Sequence, residues 1–345
     1  MILHQSIFRG QCILSDPAKE AIIASLWKTH PIRPITIATF DSYFNYYQVQ
    51  CHASHEAKHA AATHRDILDI VDHISRHSDQ SKEMLQASLQ IAHPRLGTLP
   101  DKLGNSIELA VRLWLMIEIR TSAPGPEEYL SLQPAIPWPE RYSVAELVRH
   151  HFTTSPPAYV TGKMRFSKLL NARNLTKIGG FQLLWTDNLL DHLAIKEEKG
   201  ICVYFHAAVM QQIRASESDI LPKDFLDETM QTIALLLPSA DLGCASWLRQ
   251  VLKGGDLDPQ IRGLKTASRD ISSYKYWRDR LLILEESFDQ SEPGNISQWW
   301  HDRRKKVQWY TFWVAILVLV LTIVFGLIQS VTGILQVWAA VKGLH

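Results

Sequence analysis

The feature that most constrains this chain is an apolar run from Trp309 to Ile328, WYTFWVAILVLVLTIVFGLI. It carries no charged side chain over about 20 residues, the length an α-helix needs to cross a hydrocarbon layer of ~30 Å. The helical pattern continues through Gln329, Ser330, Thr332, Gly333 and Gln336 to Trp338, which predicts one helix about 43 Å long at 1.5 Å per residue. Trp309, Tyr310 and Trp313 at one end and Trp338 at the other then lie at the two headgroup layers, where amphipathic rings anchor a span. A second span does not fit. Just before the run stands His301-Asp302-Arg303-Arg304-Lys305-Lys306, and the positive-inside rule puts that side in the cytosol.

The start, MILHQSIFRGQCILSDPAKE, is broken by Arg9, Gln11 and Asp16 and offers no apolar leader, so synthesis in the cytosol is expected. Together these features predict a tail-anchored protein whose N-terminal region is cytosolic and whose first partner is the lipid bilayer. Cys12, Cys51, Cys202 and Cys244 are widely spaced without a C-x-x-C pair, as reduced thiols would be. The remaining ~300 residues suffice for one large or two ordinary domains. Hydrophobic content of 46% and charged content of 21% suit a globular region, and a net charge of +1 argues against a dedicated nucleic-acid binder.

Along the chain, Asp16-Pro17 starts a helix with apolar Ile22, Ile23, Leu26 and Trp27. PIRPITIATFDSYFNYYQVQ mixes helical and extended signals. Cys51 to Ile91 reads as one long helix or two, with a stripe of Ile67, Ile70, Val71 and Ile74 resumed at Met84, Leu85 and Leu89. SIELAVRLWLMIEIR is apolar around most of its circumference but too short for a bilayer, which predicts a buried core helix. Five prolines between Pro124 and Pro139 mark a linker. Beyond it, Ser143 and Glu146 form a capping box, KMRFSKLLNARNLTK reads as a basic helix ended by Gly179-Gly180, and Phe181 to Trp185 and Ile201 to Phe205 read as strands of a small β-α-β unit. Helices follow at Lys223 to Leu237, Asp241 to Leu252 and Ser268 to Gln290, and Ser297 caps a last helix entering the anchor. The domains expected are a helical region (1–123), the linker (124–142), an α-rich domain with the β-α-β unit (143–296), and a basic juxtamembrane helix with the anchor (297–345). The fold class is mainly α with a small α/β element, a soluble helical region followed by one C-terminal transmembrane helix.

The sharpest chemical motif is His55-Glu56-Ala57-Lys58-His59. In H-E-x-x-H, two histidines one helical turn apart hold zinc and the glutamate activates a water. That would make His55 and His59 metal ligands and Glu56 the catalytic base of a membrane-tethered zinc hydrolase. Against it stand Lys58, a cation beside the metal, and a neighbourhood suited to a solvated helix face. Gly179-Gly180 and Gly254-Gly255 fit no phosphate-binding loop, and no G-x-S-x-G elbow presents a serine. His192 and His206 lie beside the β-α-β unit, where local hydrogen bonding accounts for them. The cations Lys163, Arg165, Lys168, Arg173 and Lys177 read as a solvated face or a surface for anionic lipid or RNA. In the anchor, Thr322, Gly326 and Ser330 recur every four residues and align small surfaces for close helix packing, with Gln329 and Gln336 placed to add hydrogen bonds. A homo-oligomer through this helix is the expectation.

Trp185-Thr186-Asp187-Asn188-Leu189-Leu190-Asp191-His192, Gln298-Trp299-Trp300-His301-Asp302-Arg303-Arg304 and Trp309-Tyr310-Thr311-Phe312-Trp313-Val314-Ala315-Ile316-Leu317 resemble a widespread group of filamentous-fungal proteins that share this C-terminal half, over about residues 165 to 340. The resemblance implies a single-pass membrane protein of no established activity, and no catalytic residues carry over with it. A helix running into a span that ends in Phe325-Gly326 is also similar to CorA-like metal-ion transporters, although their Gly-Met-Asn signature and second span are absent here. The primary expectation is a membrane-anchored interaction or regulatory module that needs no cofactor. The alternatives are the zinc hydrolase and a divergent CorA-like subunit.

Overall fold

The computed structural model describes residues 2–8, 14–28, 37–53, 58–97, 99–120, 135–153, 164–197, 199–255, 257–291 and 306–342. It divides into two compact units, Met1–Thr176 with Phe181–Phe288, and Lys177–Gly180 with Asp289–His345. The chain is mainly α-helical, with two small sheets in the first unit and one long apolar C-terminal helix in the second.

In the first unit, helices α1 (Asp16–Trp27), α2 (Asp41–Ala53), α3 (His64–Arg76) and α4 (Lys82–Ala92) precede α5 (Pro100–Leu115). The sequence marks α5 as a core helix, and Leu103, Ile107, Leu113 and Trp114 are all buried, with α2, α3 and α4 packed on it. The helix stops at Leu115 because Met116 takes the left-handed conformation, φ 54°. A buried helix end must find donors for its last carbonyls. Here α1 and α2 supply them: Trp27 Nε1 donates to the Trp114 carbonyl at 3.2 Å, Tyr43 OH to Leu113 at 2.8 Å and Tyr46 OH to Arg112 at 3.2 Å.

Those contacts also explain why the aromatic stretch before Gln50 is helical despite its extended signals. Tyr43, Phe44, Tyr47 and Cys51 recur at helical spacing and all are buried, so the aromatic residues form one face of α2. The span from Cys51 to Ile91 is divided among three helices. α2 ends at Ala53, Thr63 opens α3 through a capping box with Asp66, and Ser81 caps α4. Ile67, Ile70, Val71 and Ile74 form the predicted buried stripe, continued by Leu85 and Leu89, whereas Met84 is exposed.

Residues on either side of the proline-rich stretch fall in this one unit, and Pro124, Pro126 and Pro134 lie outside the described residues. Strand β1 (Ile119–Arg120) pairs in parallel with β2 (Ile136–Pro137). The α4 amides of Lys82 and Glu83 donate to the carbonyls of Tyr142 and Glu140. Lys82 is fully buried, with Nζ 2.8 Å from Glu108 Oε1 and 5.3 Å from the centre of the Trp138 ring, so a charge is taken out of water only with a carboxylate and an aromatic face around it.

After α6 (Val144–His151), which carries the predicted Ser143–Glu146 capping box, the basic segment is helical only over α7 (Ala172–Lys177). The described part before it is irregular, with a bridge at Arg165 and a turn at 168–169: Phe166 N donates to the Arg269 carbonyl, Ile271 N to Met164, and the Arg269 guanidinium to the carbonyls of Ser167 and Leu170. Backbone groups engaged in this way are lost to an α-helix. Strands β3 (Gln182–Thr186), β4 (Ile195–Lys196) and β5 (Gly200–Tyr204) form a sheet in the order β3-β5-β4, with β3 parallel and β4 antiparallel to β5. The two predicted strands are present, but a 3-10 turn (Leu189–Asp191) and β4 connect them, and the expected α-helix between them is absent. Gly200 is required here, because a Cβ on it would lie 2.8 Å from Leu184 Cδ1 and 2.9 Å from the Lys196 carbonyl.

Helices α8 (Ala207–Ala215), α9 (Lys223–Leu236), α10 (Leu242–Leu252, capped by Asp241) and α11 (Arg278–Gln290) complete the unit. The predicted helix from Ser268 forms only from Arg278. Tyr274 and Trp277 are buried as expected, but the buried Glu228 carboxylate of α9 accepts the amides of Lys275, Tyr276 and Trp277 at 2.7–2.9 Å and holds them outside a helix. In the second unit, α12 runs from Lys306 to Lys342. Glu228→Ala would leave three amides without their acceptor and is expected to cost about 3 kcal/mol. Urea unfolding of the full chain in detergent checks this, with Glu228→Gln losing less.

Candidate functional site

Two places carry the residues singled out by the sequence, the apolar helix α12 and the polar segment Thr186–His192. In α12, Trp309–Ala339 is a 31-residue stretch whose most apolar 18-residue window has mean hydropathy 2.8 and is unburied. It is the one helix among the described residues long and apolar enough to cross a membrane. Trp309, Tyr310 and Trp313 cluster at its start, with the Trp309 and Trp313 rings 6.2 Å apart. Trp338 lies near its end, with Lys342 Nζ 4.9 Å from its ring centre. The small and polar residues in between return their hydrogen bonds to their own helix: Thr322 Oγ1 donates to the Val318 carbonyl, Ser330 Oγ to Gly326 and Thr332 Oγ1 to Ile328, all at 2.8–2.9 Å. A side chain satisfied in this way needs no water in hydrocarbon.

The Thr186–His192 segment connects β3 to the rest of the sheet, and nearly every polar atom in it has a structural partner. Thr186 Oγ1 accepts the Asn188 amide, and Asn188 Oδ1 accepts the amides of Leu190 and Glu118, tying the turn to the chain leaving α5. Asp191 is held by Lys196 Nζ at 3.3 Å, while burial raises its pKa above the usual carboxylate range. Arg280 of α11 donates to the carbonyls of Leu190 and His192 at 2.7 and 2.6 Å. Fully buried His192 accepts the Tyr204 amide at Nδ1, 3.2 Å, so its proton sits on Nε2 and faces Thr232 Oγ1 at 2.6 Å. Burial holds it neutral, with a pKa lowered to about 3.

His206, at the end of β5, lies in an Asp–His–Ser array that the sequence pattern did not reveal. Its Nε2 is 2.6 Å from Asp187 Oδ1 and its Nδ1 is 3.5 Å from Ser42 Oγ. The burial order is the reverse of what a hydrolase needs. Asp187 is 46% exposed at its side chain, whereas His206 and Ser42 are buried, so no substrate reaches the hydroxyl, and its hydrogen bond is at the long limit. The array fastens α2 to the sheet. Only spatial proximity reveals it, since its three members span residues 42 to 206.

Of the H-E-x-x-H residues, His55 and Glu56 lie outside the described residues. His59 follows directly on Lys58 at the edge of the described residues, and its ring lies 5.8 Å from that of Phe8. Among the described residues no group of three or more His, Cys, Asp or Glu is arranged to hold a metal ion. Cys51, Cys202 and Cys244 are free and buried, and burial pushes the Cys51 and Cys244 thiols up to about 12 and about 11, so neither is a ready nucleophile. An open cavity of about 520 Å³ between the end of α9, α10 and the 259–263 turn is lined by Leu248, Arg249, Gln260 and Arg262, without a carboxylate or imidazole. No protein family, no curated protein and no solved structure matches the chain.

Buried His64, whose pKa is lowered to about 4, joins His192 in making the first unit acid-sensitive. Above pH 6.5 both are neutral whether folded or unfolded and add no pH dependence. Below it the unfolded chain takes up protons that the folded state refuses, so stability falls with falling pH. The two together are expected to cost about 2 kcal/mol between pH 6 and pH 5. Urea midpoints across that range check this, and His64→Gln should halve the slope.

Proposed function

We propose that this chain is a membrane-anchored protein whose N-terminal region faces the cytosol and serves as an interaction or regulatory module at the bilayer surface. The observation that carries the reading is the 31-residue apolar stretch of α12, long and apolar enough to cross a membrane. Arg303, Arg304, Lys305 and Lys306 on its N-terminal side support the orientation. On the same footing we place the chain with the filamentous-fungal group it resembles. Its Trp185–His192 segment is rich in groups used to hold the fold together, as expected of a segment shared for its structure.

Two sequons act as built-in topology reporters, Asn174-Leu175-Thr176 and Asn295-Ile296-Ser297. The Asn174 side chain donates from Nδ2 to the Leu169 carbonyl at 3.0 Å, a bond a glycan on that nitrogen would disrupt. Expression in a glycosylating host should give a protein retained in alkali-washed membranes with no glycosidase-sensitive mass shift. A shift abolished by Asn174→Gln with Asn295→Gln would place the region in the lumen and end the cytosolic assignment.

We further propose that α12 self-associates along Thr322, Gly326 and Ser330. A Cβ on Gly326 would meet nothing within 4 Å in the protein, so Gly326→Leu leaves the single helix unstrained and acts only on packing against another helix. The substitution should weaken the signal in a membrane two-hybrid assay, and an unchanged signal rejects the dimer.

A further inference from the structure

We infer that the surface carrying Met164, Arg165, Lys168, Leu169, Arg173 and Leu242 docks onto the anionic face of the bilayer that holds α12, an inference that rests on the membrane reading above. Three large apolar side chains are displayed there. Met164 is 83% exposed, Leu242 84% and Leu169 41%, and although other apolar side chains of the unit are exposed too, such as Ile91 and Met84, these three stand with Arg165, Lys168 and Arg173 close in sequence or space. They are not on a frayed end. The Met164 carbonyl accepts the Ile271 amide, the Leu169 carbonyl accepts Asn174 Nδ2, and the Leu170 carbonyl accepts from Arg269, so the segment is pinned to the unit with its apolar side chains facing outward. The first turn of α10, which carries Leu242, adjoins this segment, because the Arg173 guanidinium lies against it with Nη1 3.2 Å from where a Cβ on Gly243 would stand.

The charges around these side chains select the occupant. Arg165 and Lys168 are exposed and Arg173 is half-exposed. Two acids stand among them and keep their charge, Asp270, which faces Arg165 and accepts the Ser272 amide and hydroxyl, and Asp241, which caps α10 through the Cys244 amide, so the three cations leave this surface with one net positive charge. Exposed Met and Leu bordered by Arg and Lys is the chemistry of a surface that seats apolar side chains at the acyl boundary and cations among anionic headgroups. Covalent attachment makes weak docking sufficient. Fourteen residues, 292–305, join Ser291 to the first residue of α12, a reach of at most about 50 Å, so the bilayer is presented at a high effective concentration.

The test uses the full chain in nanodiscs of phosphatidylcholine alone and of phosphatidylcholine with about 30% phosphatidylserine, the kind of anionic lipid that faces the cytosol, read by amide hydrogen exchange. Amides of residues 164–171 and 242–245 should exchange about fivefold more slowly in the anionic discs, since one net positive charge near such a surface contributes roughly 1 kcal/mol. The amides of α3 should not change. Raising salt to about 0.5 M, where the Debye length is roughly 4 Å, should remove the difference. Arg165→Gln with Lys168→Gln should abolish it, as should Met164→Ser with Leu169→Ser and Leu242→Ser, all surface changes that leave the core intact. Equal rates in the two discs would overturn the docking surface while leaving the anchor in place, whereas a chain that fails to enter discs at all would overturn the anchor itself. Protection by single-stranded RNA in neutral discs without protection by phosphatidylserine would also overturn the inference.

Discussion

The first unit depends on a parallel strand pair closed over a short connection. Parallel strands are normally joined by a helical crossover, which satisfies its own backbone. Between β3 and β5 only residues 187–199 are available, and they include a 3-10 turn and the two-residue strand β4. Side chains must therefore do what a helix would have done. Asn188 takes amides from Leu190 and Glu118, Arg280 takes carbonyls from Leu190 and His192, and His192 takes the Tyr204 amide. Together they tie the turn to the chain leaving α5 through Glu118, to β5 through Tyr204 and to α11 through Arg280. Residues on both sides of the proline-rich stretch are bound to the turn in this way.

This use of polar groups bears on function as well. An imidazole, a carboxylate and a hydroxyl within hydrogen-bonding reach are the parts of a hydrolase, but chemistry requires an accessible nucleophile and a buried orienting acid. At Ser42, His206 and Asp187 the accessible member is the acid. The neutral state of His192 and the raised thiol pKa values of Cys51 and Cys244 have the same cause, burial without a charged partner strong enough to offset it. The imidazoles of His192 and His206 and the thiols of Cys51, Cys202 and Cys244 are inside, where they hold the structure.

How much of this was legible in the sequence depended on whether an element's cause is local. Ser143 with Glu146, the stripe of α3, the apolar circumference of α5 and the uncharged run of α12 all act within one helix, and each was read from spacing alone. Failures came where a distant group intervenes. Tyr274 and Trp277 were legible as buried but residues 275–277 not as non-helical, because the Glu228 carboxylate that captures their amides lies more than forty residues away. The basic segment before α7 is irregular because Arg269, almost a hundred residues on, takes its carbonyls. Aromatic-rich α2 gave extended signals because its residue types favour strands, and only the docking of Tyr43 and Tyr46 on the end of α5 explains why a helix prevails. The Ser42–His206–Asp187 array was illegible for the same reason.

The dimensions of α12 set how it would meet a bilayer. At 1.5 Å per residue, Trp309–Ile328 is about 30 Å long and matches the hydrocarbon core, while Gln329–Trp338 adds about 15 Å more. Tilt alone would have to reach roughly 50° to bury the whole length, more than the usual range. The composition resolves the mismatch. Gln329, Ser330, Thr332 and Gln336 occupy the second stretch, and the Lys342 ammonium lies over the Trp338 ring, a pairing suited to the wet interface. The helix therefore consists of a span and an interfacial continuation, and Gly326 falls within the span, where close packing between two such helices would be decided.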